Sequence, residues 1–170
     1  MRDLTEYTCC FFGHREIAEK EELKTRLFNE IENLIIGRRV EYFLFGSKSC
    51  FDDLCYDVVS ELKSKYNIIK RIYVRAEFPE INNEYREYLL RKYEDTYYPE
   101  KLIGEGKAAY VERNFEMIDN SNYCICYFDG EYTVSKKRKD RENSTGKSGT
   151  AIAYNYAVKK SKNIINVFNG

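Results

Sequence analysis

The sequence predicts an α/β protein in which a parallel β-sheet is sandwiched between layers of helices. Apolar, strand-like segments alternate with helix-like segments along the whole chain. No two strand-like segments are joined by the two-residue turn that closes a β-hairpin. Strands separated by helices run parallel, because each helix carries the chain back across the sheet before the next strand begins.

The strand-like segments are short and mostly apolar. The first of them is apolar or small at nearly every position, which predicts a strand that is buried on both faces. The five segments, in chain order, are Tyr7–Phe12, Val40–Phe45, Ile68–Val74, Tyr123–Phe128 and Ile164–Phe168.

Apolar residues recur at helical spacing in the intervening segments. The first helix is predicted from about Ile17 to Ile36, with Gly37 as a natural stop. The charged, tyrosine-rich stretch Asn82–Tyr93 predicts a short exposed helix, which Tyr97-Tyr98-Pro99 interrupts. Further helices are predicted after Gly46-Ser47-Lys48-Ser49, over about Lys107–Asp119, and from near Ser148 to about Ser161.

The length and composition are those of an ordinary globular protein. A chain of 170 residues predicts a single domain over residues 1–170. Lys+Arg and Asp+Glu both total 28, so the overall charge offers no argument for nucleic acid or a membrane surface. We therefore expect a cytoplasmic protein with no membrane partner, and we do not expect nucleic acid as a partner.

Six cysteines and a single histidine limit the metal chemistry that the chain can support. No two cysteines have the two-residue gap that is typical of a zinc knuckle. In a cytosolic chain they are most simply interpreted as small buried hydrophobic residues. The sequence therefore predicts no metal site and no cofactor. The cysteines are Cys9, Cys10, Cys50, Cys55, Cys124 and Cys126.

Two glycine-containing corners, Gly13-His14-Arg15 and Ser148-Gly149-Thr150, each follow a strand-like run and open a helix-like run. A helix that starts there presents unpaired N–H groups and the positive end of its dipole, which suits phosphate or carboxylate. Arg15 is suited to the same anion, and His14 could donate to it or act as an acid or base. Alternatively, Gly13 only turns the chain, while His14 and Arg15 cap the helix or face water.

A third corner, Gly46-Ser47-Lys48-Ser49, is typical of a turn that holds phosphate, although it lacks the spaced second glycine of a Walker loop. We expect phosphate contacts from Gly46 and Ser47. Asp52 and Asp129 are candidates for binding ribose hydroxyls. Asp52 is equally suited to be an ordinary acid in the first turn of a helix.

The spacing alone does not decide the roles of two further features, an Arg-Asn pair and a basic run. Arg113-Asn114 could hold a phosphate or a carbonyl, although its spacing favours a surface helix with an apolar stripe. The basic run Lys136–Arg141 lies in the loop 129–147 and is better interpreted as a solvated loop than as a nucleic-acid patch. In that position the loop could close over an anionic ligand.

Three stretches of the chain form a recognisable set: Cys9–Arg15, Tyr110–Asp119, and Ser148-Gly149-Thr150 with the helix-like run after it. Together they resemble the SLOG superfamily, a Rossmann-like group that includes the YpsA-like proteins, the DNA-processing protein A core and the LOG phosphoribohydrolases. The resemblance is strongest to YpsA-like proteins. It implies a Rossmann-like three-layer sandwich with a mainly parallel five-stranded sheet in the order 3-2-1-4-5. It also implies a homo-oligomer, and one crevice shared by the first and last corners.

The same resemblance implies binding of a nucleotide or nucleotide-derived small molecule by a sensor or sequestering protein. Arg113 and Gly149-Thr150 match the phosphoribohydrolase motifs, but Asn114 stands in place of a lysine and Ala153 in place of a glutamate. Because alanine cannot activate water, binding is favoured over hydrolysis, and no catalytic residue is assigned. The alternative is a nucleotide-processing hydrolase of the N-glycosidase or phosphohydrolase type that recruits His14, Glu116 or Asp119.

Overall fold

The computed structural model describes residues 3–46, 48–100, 102, 104–131 and 148–168. Within them, six strands form one sheet in the spatial order β4-β3-β2-β1-β5-β6, and every pair of neighbours is parallel. The strands are β1 (Thr8–Gly13), β2 (Tyr42–Phe45), β3 (Lys70–Val74), β4 (Asp95–Tyr97), β5 (Tyr123–Tyr127) and β6 (Asn163–Asn166).

Helices cover both faces of this sheet. On one face, α1 (Lys20–Arg38) and α2 (Cys50–Lys65) pack against each other and against the sheet. On the other face, α4 (Lys107–Asp119) and α5 (Gly149–Lys159) do the same. A short helix, α3 (Asn83–Leu90), lies beside β4. The predicted α/β sandwich with a parallel sheet is confirmed. None of the described helices is both long enough and apolar enough to cross a membrane.

The central strand β1 contributes to two separate hydrophobic cores. Cys9 and Phe11 join the core under α1 and α2, whereas Cys10 and Phe12 join the core under α4 and α5. All four side chains are at most 3% exposed. Alternate side chains of a strand point to opposite faces of the sheet, so a strand between two helix layers needs apolar residues at every position. The prediction that this strand is buried on both faces is confirmed.

The sheet has six strands and not the expected five. The additional strand, β4, lies at the outer edge beside β3, in the stretch where Tyr97-Tyr98-Pro99 was expected to interrupt a helix. It is held by the Thr96 hydroxyl, which donates to the carbonyl of Tyr73 at 2.8 Å. Three residues are too few to show the alternation that identifies a strand in a sequence. The remaining strands follow the expected order, so β1 and β5 are adjacent.

The first helix is shifted toward the C-terminus of its predicted range. It begins at Lys20 rather than near Ile17, and it runs through Gly37 to end at Arg38. Arg39 takes the left-handed conformation that ends the helix, and its N–H donates to the carbonyl of Leu34. Glycine favours such a position but is not required for it, so Gly37 was a misleading stop signal.

Candidate functional site

Most of the predicted site residues lie at the carboxyl edge of the sheet. His14, Gly46 and Asp129 lie just beyond the ends of β1, β2 and β5, and Ser148 begins α5. The carboxyl ends of parallel strands meet at one edge, and ligands of open α/β sheets bind there. Gly13 lies opposite Tyr127 in the register of β1 and β5. The edge therefore places the first corner beside the start of the loop that leads to α5.

Gly13 is required by packing within the protein. A Cβ atom at this position would lie 2.4 Å from a ring carbon of Phe51, in the first turn of α2. The space beside this glycine is therefore filled by the chain's own side chain. The corner is tight because α2 packs on the end of β1, which is a structural reason for the glycine rather than an opening for a ligand.

His14 is buried and connects the first corner to Asp129. Its Nε2 atom accepts a hydrogen bond from the backbone N–H of Asp129 at 2.9 Å, and the backbone N–H of His14 donates to the carbonyl of Tyr127 at 3.3 Å. Burial lowers the pKa of the imidazole, and the interactions with Asp129 only partly offset this effect. The ring is therefore neutral at physiological pH, with its proton on Nδ1. Because the lone pair of Nε2 already accepts a bond, this nitrogen is not poised to take a proton from a ligand.

Backbone N–H groups at the start of α2 already donate hydrogen bonds to acceptors within the protein. The carbonyl of Arg15 accepts the N–H of Cys50 at 3.0 Å, and the Ser49 hydroxyl accepts the N–H of Asp52 at 3.0 Å. Asp52 is only 3% exposed, so it has almost no surface open to a ribose hydroxyl. Ser47 lies outside the described residues. The corner after β2 thus offers a phosphate fewer free N–H groups than its sequence predicts.

A surface hollow of about 450 Å³ lies beside this corner. Its lining carries two carboxylates, from Glu16 and Asp53, and one ammonium group, from Lys20. This balance of charge is unfavourable for an anion. The hollow is therefore a weaker candidate for phosphate than the groups described next.

The start of α5 has the form expected of a helix N-terminus. The Ser148 hydroxyl caps the helix by accepting the N–H of Ala151 at 3.1 Å. A Cβ atom at Gly149 would meet nothing within 4 Å, whereas Thr150 is buried. Asp129 stands before the loop and accepts the N–H of Glu131 through its carboxylate at 2.9 Å.

The contacts at this end of the sheet do not close one crevice. Among the described residues, no hydrogen bond joins Gly13-His14-Arg15 to Ser148-Gly149-Thr150. The basic run Lys136–Arg141, which was expected to close over a ligand, lies outside the described residues. A crevice shared by the two corners therefore stays a prediction.

Arg113 is the most unusual charged group at this edge. It comes from α4, is 3% exposed, and donates through Nη1 to the carbonyl of Gly46 and through Nε to Asn114 Oδ1 at 3.3 Å. Its Cζ atom lies 5.5 Å from the centre of the Tyr110 ring. Burial lowers the pKa of the guanidinium, and the charge of Asp52 partly offsets this effect.

The Nη2 atom of Arg113 is a hydrogen-bond donor for which the described residues provide no acceptor. Among the described residues, no carboxylate forms an ion pair with the guanidinium and nothing accepts a hydrogen bond from Nη2. Arginine stays protonated in proteins even when its pKa is lowered. The side chain is thus a buried cation with one nitrogen for which the described residues provide no acceptor, and it lies on the packed side of α4 and not on a solvated surface.

Two aromatic residues were not predicted: one lies beside Arg113, and the other is in the loop that the first contacts. Tyr110 lies one helical turn before Arg113, and its hydroxyl donates to Glu77 in the loop after β3. Phe78 follows in the same loop and is 58% exposed. The spacing of Tyr110 and Arg113 along one helix face was the available signal for the first. No sequence signal marks Phe78, because a single aromatic residue in a loop has no periodicity.

The parallel sheet with helices on both faces and polar groups at its carboxyl edge defines a Rossmann-like α/β protein. No family model matches the chain, and no curated protein matches it. Among solved structures, the chain is similar to DNA processing protein A from Helicobacter pylori, whose structure is described for its single-stranded DNA binding mode. The two are 14% identical with a TM-score of 0.58, and the match covers 94% of this chain and 64% of that one. A likeness at this level of identity shows the shared fold.

The expectation that nucleic acid is not a partner is wrong. It depended on the balanced total charge, yet this architecture also belongs to a protein that binds single-stranded DNA. Total charge sums the whole surface, whereas a strand is held by a local groove and by aromatic side chains on which its bases stack. A sum of zero is therefore no argument against nucleic acid here.

Proposed function

We propose that this protein binds a nucleotide-derived small molecule through a phosphate at Arg113, as a sensor or sequestering protein. The observation that carries the proposal is the buried guanidinium with a free Nη2 donor and no carboxylate paired to it among the described residues. A buried charge that no opposite charge contacts is costly. A bound phosphate supplies the missing partner and accepts a fork of charge-assisted hydrogen bonds.

The surroundings of Arg113 support an anion site. A Cβ atom at Gly46 would lie 2.7 Å from the Arg113 side chain, so glycine at this corner lets the guanidinium lie against the turn. The open space at Gly149 leaves the N-terminus of α5 accessible to a second anionic group.

We also propose that the chain is a YpsA-like SLOG domain of the cytoplasm, on the motif resemblance described above. A homo-oligomer stays a prediction.

Two observations support binding rather than turnover. Ala153, which takes the place of the phosphoribohydrolase glutamate, is 1% exposed and packs in the core under α4 and α5. The Nε2 atom of His14 accepts a backbone hydrogen bond. The hydrolase alternative requires another acid, and a turnover screen over nucleotides is its direct test.

The first experiment is mass spectrometry of small molecules released by denaturing the purified protein, followed by titration of the ligand found or of a nucleotide panel. Arg113→Ala is expected to weaken binding roughly tenfold to hundredfold, the range for a lost charge-assisted hydrogen bond. Gly149→Asp should also weaken binding, because it adds a negative charge in open space at a helix N-terminus. Gly149→Ala is the matched control and should bind normally. Unchanged affinity in both Arg113→Ala and Gly149→Asp overturns the proposal.

The second candidate function is binding of single-stranded DNA, which the structural likeness to DNA processing protein A favours. Titration with oligothymidylates of increasing length tests it. Affinity that rises with length and falls steeply with salt supports DNA binding, because each added phosphate contact releases counterions. Affinity that is the same for one nucleotide and for many contradicts it.

A further inference from the structure

Phe78 is held in a conformation that its residue type disfavours. Its φ is +60°, in the left-handed region, and its ring is 58% exposed. A bulky residue at positive φ is a backbone outlier. Such strain persists only where the surroundings impose it, and it concentrates at sites where a ligand is bound.

The surroundings that impose it centre on Arg75. This arginine is 6% exposed, and it donates to the carbonyl of Phe78 at 3.1 Å, to that of Pro79 at 3.4 Å, and to the Thr96 hydroxyl at 3.1 Å. Thr96 in turn donates to the carbonyl of Tyr73 in β3. A buried cation thus fixes the carbonyl groups of Phe78 and of the residue that follows it, and the loop that presents Phe78 is tied to the sheet.

The Phe78 ring lies at the end of a short chain of contacts that begins at the proposed phosphate site. Tyr110 covers Arg113 at 5.5 Å and donates its hydroxyl to Glu77, the residue before Phe78. Tyr110 is itself 41% exposed. The Phe78 ring itself packs edge-on against the ring of Tyr85, and the two ring centres are 6.3 Å apart. One exposed aromatic ring, that of Tyr110, therefore covers the Arg113 guanidinium, and Phe78 follows the residue that Tyr110 holds by a hydrogen bond.

We infer that Phe78 and Tyr110 form the subsite for the base of a nucleotide whose phosphate binds Arg113. This inference rests on the proposed function, and it adds that the ligand carries an aromatic base. Aromatic side chains bind bases by stacking, which any base permits because each has a π-face. The carboxylates of Glu77 and Glu80 flank Phe78 in the chain. The Glu77 carboxylate accepts the Tyr110 hydroxyl and puts negative charge at this end of the subsite, so the phosphate of a free nucleotide is assigned to the Arg113 end.

The test compares the four ribonucleoside 5′-monophosphates with ribose 5-phosphate, which has the same phosphate and sugar but no base. In the unaltered protein, the best nucleotide is expected to bind about 5- to 150-fold more tightly than ribose 5-phosphate, the range for one stacked base. In Phe78→Asn this preference should fall to about twofold or less, with the affinity for ribose 5-phosphate unchanged. Phe78 is the better choice for substitution because Tyr110 also contacts Arg113.

A stability measurement separates this role from a structural one. Asparagine accepts positive φ more readily than phenylalanine, so Phe78→Asn should unfold at the same temperature as the unaltered protein or higher. Ile68→Asn is the matched control, because Ile68 is 59% exposed at the opposite edge of the sheet, before β3. It should leave the preference for a base intact.

The outcomes distinguish the subsite from the function it depends on. Equal affinity for nucleotides and ribose 5-phosphate, or a preference that survives in Phe78→Asn, overturns the subsite and leaves phosphate binding standing. Binding of neither compound, with no effect of Arg113→Ala on any ligand, overturns both. Loss of oligothymidylate binding in Phe78→Asn, with no binding of single nucleotides to the unaltered protein, overturns the choice of a free nucleotide.

Discussion

His14 and Arg113 are both buried at the carboxyl edge, and burial lowers the pKa of each from ordinary values of 6.5 and 12.5. The consequence differs because the starting values differ. His14 becomes neutral and can accept a backbone hydrogen bond, whereas Arg113 remains a cation that requires an anion or a carbonyl. His14 therefore fixes the backbone at the carboxyl edge, and Arg113 supplies a positive charge there.

At the residue scale, the neutral His14 makes stability depend on pH. Its folded-state pKa lies below the value of the unfolded chain, so the unfolded chain binds the proton first as the pH falls. The contribution of His14 is complete above about pH 6.5 and is lost as the pH falls toward the lower folded-state value. We expect the free energy of unfolding to drop more between pH 7 and pH 5 in the unaltered protein than in His14→Gln, which does not titrate. Denaturant unfolding at both pH values measures this difference.

The chain has only one histidine, so an NMR titration of the imidazole needs no assignment. Glutamine keeps an acceptor for the Asp129 N–H, which makes it a fair control for the hydrogen bond. An imidazole that titrates at or above pH 6.5, or an equal loss of stability in the two proteins, contradicts the prediction.

At the scale of elements, the two glycine corners have different physical origins. Gly13 is glycine because the first turn of α2 packs against it, while Gly149 begins α5 in open space. Gly13→Ala should therefore destabilise the fold by about 1–3 kcal/mol through overpacking. Gly149→Ala should change stability by about 0.5 kcal/mol or less, or raise it slightly. Chemical denaturation of both variants compares them directly, and equal costs would contradict this assignment.

These corners also show how far the sequence predicts the structure. The strong apolar periodicity of the long helices and the continuous apolar run of β1 identify their elements, because burial on defined faces dictates both patterns. The sequence signals predict the same role for Gly13 and Gly149, a turn between a strand and a helix. They do not reveal that Phe51 fills the space beside Gly13 and leaves the space beside Gly149 open. Arg113 was identified by motif resemblance, whereas its spacing favoured an exposed surface. Its burial depends on the long-range contact with Gly46, which no local pattern encodes.

At the scale of the whole molecule, five of the six cysteines are buried in the two cores, and Cys50 is exposed at the start of α2. Burial raises the pKa of the Cys9 and Cys55 thiols and raises that of Cys126 to about 12. A thiol reacts as the thiolate and must be accessible. The buried thiols are therefore protected for as long as the sheet stays between its helix layers.

We expect one fast-reacting thiol in the folded protein and six in denaturant when a chromogenic disulfide reagent is used to count them. Because the protected thiols, four on strands and one on α2, lie in the cores on both sides of the sheet, exposing all of them requires opening of the whole fold. They should react roughly a thousandfold or more slowly than Cys50, in line with the stability of ordinary domains. Cys50→Ser should remove the fast phase and leave the slow one unchanged. A second fast thiol would mean that one helix layer opens independently of the other, and the two cores would then not form one cooperative unit.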